Sequence, residues 1–415
     1  MTADVTPRKG FSLPKASPAM LAWLGLLGFC LLIGLVAAVE VFWKGLAITH
    51  MSDLVPWGLW ITIDLSAIAL GAGAFTLSAI VYIFGLKHFQ PIVRLAVWIG
   101  FIGYTSALLT LVMDIGRPDR FWHPWAFWNV HSVLWEITWC ITIYLIVMAL
   151  EFAPVVADAR LFDNVRHIGH VRQAMHLLHK LAPALAVLGL AISLLHQSSL
   201  GATYGIVKSR PIWFKPSMPI MFILSAVAAG PALTMTVAFL VEWVTGKRKV
   251  PRDVLRTIAR FSGLAFLAYG YIKFWDLASV AYYGRTPLVS EALFTLSQQT
   301  PYNFSFWVGE VGLGIIVPAA FFLTPRFSRS PLFLVAGGLS GMLGIIVHRW
   351  NVTVSGLFVP VAYSPGTLYH LPAGQYWPSL VEWGVAVGII GYALLLLTLG
   401  VKFLPLFDGE KGPVE

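Results

Sequence analysis

Asp64, Glu136 and His196 lie inside apolar stretches long enough to cross a bilayer. An ionisable side chain in hydrocarbon costs about 3 kcal/mol or more unless it is paired or hydrated, so such residues mark ligand sites and proton routes. Glu136 closes the run Asn129-Val130-His131-Ser132-Val133-Leu134-Trp135-Glu136 and falls roughly two turns into its helix, where a carboxylate can exchange protons with little water about. His196 opens His196-Gln197-Ser198-Ser199, whose ring, amide and hydroxyls suit gripping a carbonyl oxygen that gains or loses a proton. The plainer readings are a packing histidine, a structural ion pair for Glu136 and an interhelical hydrogen bond for Asp64. Tyr104 sits near the middle of one apolar stretch and Glu242 near the end of another. With Glu136 they sample the membrane's full thickness, as a proton route requires if their helices are adjacent. Lys273 and Asp276, at i and i+3, read as a local ion pair, whereas Glu310 and Glu382 have no obvious local partner.

The elements that carry these residues follow from composition. The 415 residues are 58% hydrophobic and 11% charged, too apolar for a soluble domain. An all-α integral membrane protein is expected, with about ten spans at 20–43, 57–86, 92–115, 130–153, 176–199, 217–245, 256–281, 303–324, 331–350 and 379–405. The polar, proline-containing start from Met1 to Ser17 differs from a secretory signal, so the first span is expected to be retained. Ten spans put both ends on one side. Most of the 28 lysines and arginines fall on that side, including the run from Lys247 to Arg260, which predicts cytoplasmic tails at 1–19 and 406–415. The net charge of +9 is then topological and does not indicate a nucleic-acid partner. Asp64, Glu136 and His196 all approach the non-cytoplasmic face. Trp57 and Trp60 anchor the second span there, and Gly71-Ala72-Gly73-Ala74 lets a neighbouring helix come close.

On the same face, the segment from Met113 to Trp125 carries Arg117, Asp119 and Arg120 among aromatics, with Gly116 and Pro118 ending the helix. It reads as a structured loop fit for docking a partner. Only two cysteines occur, Cys30 and Cys140, so an iron–sulfur cluster or zinc ribbon cannot be built from this chain and any electrons arrive through another subunit. Of the eleven histidines only His196 and His348 lie within spans near one face, enough for at most one haem. No dinucleotide fingerprint, phosphate loop, metal set or internal repeat is evident.

Several blocks are recognisable together: Pro56-Trp57-Gly58 with Asp64, Gly103-Tyr104 followed by Asp114-Ile115-Gly116-Arg117, Asn129 to Glu136, Met148 to Pro154, and His196 to Ser199. On these the chain resembles the NrfD/PsrC family of quinone-interacting membrane subunits, in its ten-span branch that includes a hydrogenase membrane subunit. The resemblance covers nearly all of 20–405. It implies two four-helix bundles, about 57–199 and 217–350, flanked by spans one and ten. It also implies a quinone site at the non-cytoplasmic end of the first bundle, for menaquinone or ubiquinone, with no haem or iron–sulfur cluster of the chain's own. Carried over, Glu136, His196 and Tyr104 would serve the chemistry, and Asp64, Trp57, Asn129, His131, Gln197 and Ser198 would surround the quinone. Glu136, Tyr104 and Glu242 would carry protons. The implied partners are a ferredoxin-like subunit with several [4Fe–4S] clusters on the non-cytoplasmic face and a catalytic subunit, namely a hydrogenase, a molybdenum enzyme or a multihaem cytochrome. The implied location is a bacterial or archaeal cytoplasmic membrane. A transporter using intramembrane carboxylates, or a purely structural anchor, are the alternatives.

Overall fold

A computed structural model describes residues 17–159, 168–208, 210, 212–283, 287–358, 361–362, 370–371 and 375–407. Most of both expected tails, the basic residues Arg160, Arg166 and Arg285, and much of the segment before Trp377 lie outside the described residues. Ten long helices account for the architecture: α1 (Pro18–Lys44), α2 (Leu59–Phe84), α3 (Gln90–Asp114), α4 (Val133–Ala157), α5 (Gly169–Gly205), α6 (Met218–Thr245), α7 (Arg252–Tyr283), α8 (Tyr302–Leu323), α9 (Pro331–Phe358) and α10 (Leu380–Phe403). Among the described residues, the extended structure is a two-residue antiparallel ladder pairing Val361 with Leu371.

Local chemistry sets the helix ends. The Ser17 hydroxyl accepts from the Met20 amide at 3.2 Å with Pro18 in the first turn, and Ser379 forms a capping box with Glu382 on α10. Gly85 and Gly246 close α2 and α6 at φ 67° and 68°, a left-handed conformation that glycine adopts without penalty. Among the described residues nine of the ten helices are long and apolar enough to cross a membrane. The exception is α7. It is 32 residues long, but Arg256, Arg260, Lys273 and Asp276 dilute its hydropathy, and it packs against α6 and α8 like its neighbours.

Packing divides the helices into two rings. α2, α3, α4 and α5 each touch the next, and α5 returns to α2; α6, α7, α8 and α9 repeat the same cycle. α1 pairs with α10, which also packs on α3. The Trp23 indole donates to Thr398 at 3.1 Å near one end of that pair, and the His50 amide to Glu382 at 3.1 Å near the other, so α1 and α10 run antiparallel. We call the end bearing residues 17 and 407 the terminal face and the end bearing residues 115–132 the loop face. The internal repeat absent from the amino-acid pattern is thus present in the packing.

The rings join chiefly through α2 and α6. A Cβ on Gly73 would collide with the Ala226 carbonyl, and one on Gly230 with the backbone of Gly73 and Ala74, so the two helices meet backbone to backbone. Within the second ring the expected Lys273–Asp276 pair gives way to stronger partners on other segments. Lys273 pairs with Glu310 of α8, while Asp276 takes Lys215 at 2.7 Å and the Ser217 hydroxyl at 2.6 Å. Glu310 also bonds His348 Nδ1 at 2.6 Å and accepts from Asn351 at 2.9 Å. Direct contacts across a ring of low polarity outweigh an i,i+3 pair along one helix. Glu310 and Asn351 lie on π-helical stretches, Ser305–Ile316 and Asn351–Ser355, within α8 and α9.

Two outcomes follow for stability in detergent. Gly73→Leu should lower it by about 1–3 kcal/mol or more through overpacking at the ring junction, read as a fall in Tm. Glu310→Gln, which strands the Lys273 charge, should cost about 3–5 kcal/mol, with the Lys273→Met, Glu310→Leu double variant recovering most of that in the same melt.

Candidate functional site

The loop-face end of the first ring gathers most of the residues singled out from sequence. Ser132 caps α4, accepting from the Trp135 amide at 3.3 Å, and this sets Glu136 in the first turn, where the helix dipole favours a carboxylate. Glu136 is half-buried and accepts a 2.6 Å hydrogen bond from the Ser199 hydroxyl of α5. Three residues earlier on α5, His196 is fully buried, and neither ring nitrogen has a hydrogen-bond partner among the described residues. Its ring lies 5.7 Å from that of Tyr104 on α3, which in turn lies 4.2 Å from Tyr144 on α4. Asp64 of α2 is buried with Oδ1 unpartnered, and Asp114 at the end of α3 is close enough for the two carboxyls to interact electrostatically.

Buried polar atoms are nearly always hydrogen-bonded, so a concentration of unpartnered ones marks a ligand or solvent site. Here Asp64 Oδ1, the Tyr104 hydroxyl, both nitrogens of His196, both amide atoms of Gln197 and the Trp135 indole all lack partners among the described residues. These atoms are donors and acceptors that a bound molecule or solvent could meet. Trp128, Trp135 and Trp139 cluster at centroid distances of 5.1 to 6.3 Å along α4, giving that helix an aromatic flank.

Other candidates lie elsewhere. Asn129 and His131 are exposed, with a bond from the His131 amide to Asn129 Oδ1 at 3.3 Å. The Ser198 hydroxyl turns back to the Leu195 carbonyl at 2.7 Å, so its neighbour Ser199 makes the contact with Glu136. Trp57 stacks on Trp213 at 5.9 Å and edges onto Tyr204 at 5.5 Å, forming an aromatic seam toward the second ring. Glu242 is held by Arg252 at 2.5 Å at the terminal face. In the loop, the Arg117 guanidinium donates twice to Asp119 at 3.0 Å, which holds that exposed carboxyl below its usual range. The indoles of Trp125 and Trp139 tie the loop to α4 through Thr142 and the Pro124 carbonyl at 3.1 and 3.3 Å. Arg120 stands exposed beside them.

Tyr144 escapes the sequence reading, and Glu151, Ser199 and Asp114 fall within the recognisable blocks there without a place of their own in the site. Glu151 and Asp114 fall at helix ends, where a charge is unremarkable; the first accepts from Ser78 at 2.7 Å and lies beside a cavity. The second ring repeats one feature of the first. Its Tyr269 and His348 rings are also 5.7 Å apart, on the helices corresponding to those of Tyr104 and His196. Beside them Arg349 is fully buried, donating to Ser225 at 2.9 Å with its guanidinium 3.6 Å from the Phe222 ring.

Haem can be tested on the same geometry. Of the ten helices only α5 and α9 carry histidines, and they belong to different rings, with α2 and α6 packed against both. Among the described residues, no two facing helices of one ring offer a histidine pair of the kind that a bis-histidine haem requires.

The chain is 34% identical over 387 residues to the integral membrane subunit of menaquinone reductase from Nitratidesulfovibrio vulgaris, covering 91% of this chain and 89% of that one. A subunit of selenate reductase from Mesobacillus selenatarsenatis is 28% identical over 93% of this chain and 94% of its own. The probable Ni/Fe-hydrogenase 2 b-type cytochrome subunit of Escherichia coli is 27% identical over 99% and 97%. The profile of the family described as polysulphide reductase, NrfD, matches residues 47–362, which takes in both rings, and the chain belongs to that family.

Proposed function

We propose that this chain is the quinone-reactive membrane subunit of a respiratory oxidoreductase complex, passing electrons between an iron–sulfur partner and the membrane quinone pool. The observation that carries the reading is the set of unpartnered buried polar atoms at His196 and Gln197, in a membrane-length helix and within one turn of Ser199, whose hydroxyl bonds Glu136. A quinone ring presents two carbonyl oxygens that are protonated on reduction. His196 and Gln197 meet one of them, and Glu136 and Tyr104 supply or remove the protons. Relatives named for menaquinone reductase and for Hdr-like menaquinol oxidoreductase support a menaquinone substrate. The cysteine count supports an external electron carrier, since this chain cannot house a cluster. That carrier docks on the aromatic loop bearing Arg117, Asp119 and Arg120, next to the site. A catalytic subunit completes the complex.

The excess of basic residues on the terminal side supports cytoplasmic termini in a bacterial or archaeal cytoplasmic membrane, which sets the loop face and the quinone site toward the outside. A transporter with no redox role draws support from the two like rings and the π-helical stretches. The family and its named relatives favour the quinone reading.

Glu136→Gln should cut quinone-linked electron transfer in the purified complex by roughly 10²-fold with assembly intact, as expected for loss of a general acid–base group. Ser199→Ala, which leaves the carboxylate in place, should cost less. Wild-type turnover in Glu136→Gln would favour an anchor. Alkaline phosphatase should be active when fused within residues 116–128 and inactive when fused after Phe403; the reverse pattern would invert the proposed orientation.

A further inference from the structure

At the opposite end of the first ring, all four of its helices line a cavity of about 160 Å³, with Gln90, Arg94, Asp158 and His179 among its polar walls. That is room for several water molecules at roughly 30 Å³ each. Glu151 of α4 stands at its inner end. One carboxylate oxygen accepts from Ser78 of α2 at 2.7 Å, and the other, Oε2, is buried without a partner among the described residues. Two turns further into the membrane on the same helix, roughly 10 Å along its axis, is Tyr144, whose hydroxyl is also buried and unpartnered. Its ring contacts Tyr104, and Tyr104 contacts His196. The unpartnered buried groups of Glu151, Tyr144, Tyr104 and His196 therefore fall in one file along the inside of the ring, from the terminal face to the proposed quinone site.

We propose that this cavity is the mouth of a proton channel and that Glu151 is the carboxylate at its neck, exchanging protons between the terminal face and the quinone chemistry at His196. The channel replaces the path through Glu242, whose carboxylate is taken by Arg252. It rests on the quinone reading above. Quinone takes two electrons from the iron–sulfur partner and two protons through Glu151 to become quinol, and quinol oxidation returns the same two protons by the same route. Short water chains span the interval between Glu151 and Tyr144. Because electrons and protons then reach one ring from opposite faces, turnover moves charge across the membrane.

The test uses the intact complex, purified from its own host through a tag on this chain and reconstituted into liposomes that enclose the pH dye pyranine. A reduced short-chain naphthoquinone is the donor. External ferricyanide, which cannot cross the bilayer, accepts electrons from complexes whose loop face points outward, two ferricyanide per quinol. Wild-type turnover should acidify the lumen. Glu151→Gln should slow ferricyanide reduction and lumenal acidification together by roughly tenfold or more, while binding of a quinone analogue, read by fluorescence quenching, stays unchanged, and Glu151→Asp should restore most of the rate. Wild-type acidification in Glu151→Gln would overturn the channel. So would wild-type ferricyanide reduction without lumenal acidification, an outcome that leaves the quinone reading standing. All rates are taken above those of protein-free liposomes, where the quinol reduces ferricyanide directly, and no excess reduction by the wild-type complex would sink both.

Discussion

Gly73 and Gly230 let α2 and α6 touch through their backbones, and this is the most extensive contact between the two rings, which α5 and α9 reinforce against α6 and α2. Each ring is a closed cycle of four helices, so neither needs the other to satisfy its own packing; what joins them is small-residue contact, in a medium where burial of apolar surface supplies no driving force between helices. The contact also sets the seam at which Trp57, Tyr204 and Trp213 interlock and Tyr204 reaches Thr353 at 3.3 Å. A wider spacing would open that seam and release the wall behind Asp64.

Charge is treated differently in the two rings. In the second, Lys273, His348 Nδ1 and Asn351 all bond Glu310, and Asp276 is neutralised from the adjoining loop by Lys215. A buried ionic cluster of this kind is costly to disturb and well suited to fixing geometry. In the first, Asp64, His196, Gln197 and both tyrosines are left without internal partners. Such atoms are expensive to bury unless something else meets them. The second ring pairs the Lys273, Glu310 and Asp276 charges and, among the described residues, leaves the Tyr269 hydroxyl, His348 Nε2 and two Arg349 nitrogens without partners, so each half keeps some polar atoms unmet.

Much of this was legible in the amino-acid order. Apolar runs of bilayer length located nine of the helices among the described residues, most of their ends within a few residues, because the hydrocarbon thickness dictates helix length regardless of partners, and α7 is a long helix at the remaining expected position with more charge than the others. Glu136, His196 and Tyr104 were recognisable because an ionisable or hydroxyl group in such a run is conspicuous. What escaped depends on which helices face each other. Lys273 and Asp276 looked like each other's partners until α8 and the loop before α6 came beside them. Glu151 looked like an interfacial charge until four helix ends closed around it. Ser198 and Ser199 are indistinguishable in sequence, yet a rotation of about 100° per residue sends one hydroxyl to its own backbone and the other to Glu136. The repeat of the rings was hidden for a related reason, since packing order is kept by small residues and a few rings rather than by side-chain identity.

A π-helix is an α-helix holding a surplus residue. That surplus can be handed along the axis one peptide at a time, and each transfer turns the side chains it passes by about 100°. Ser305–Ile316 and Asn351–Ser355 place such a surplus in each of two touching helices, and the Ser305 and Glu310 side chains of the first both bond to Asn351 of the second, at 2.7 and 2.9 Å. Neither helix can pass its extra residue on alone without breaking these bonds. The two surplus residues are thus fastened to each other through one asparagine, and the π-helical geometry of each helix is held in register by the other.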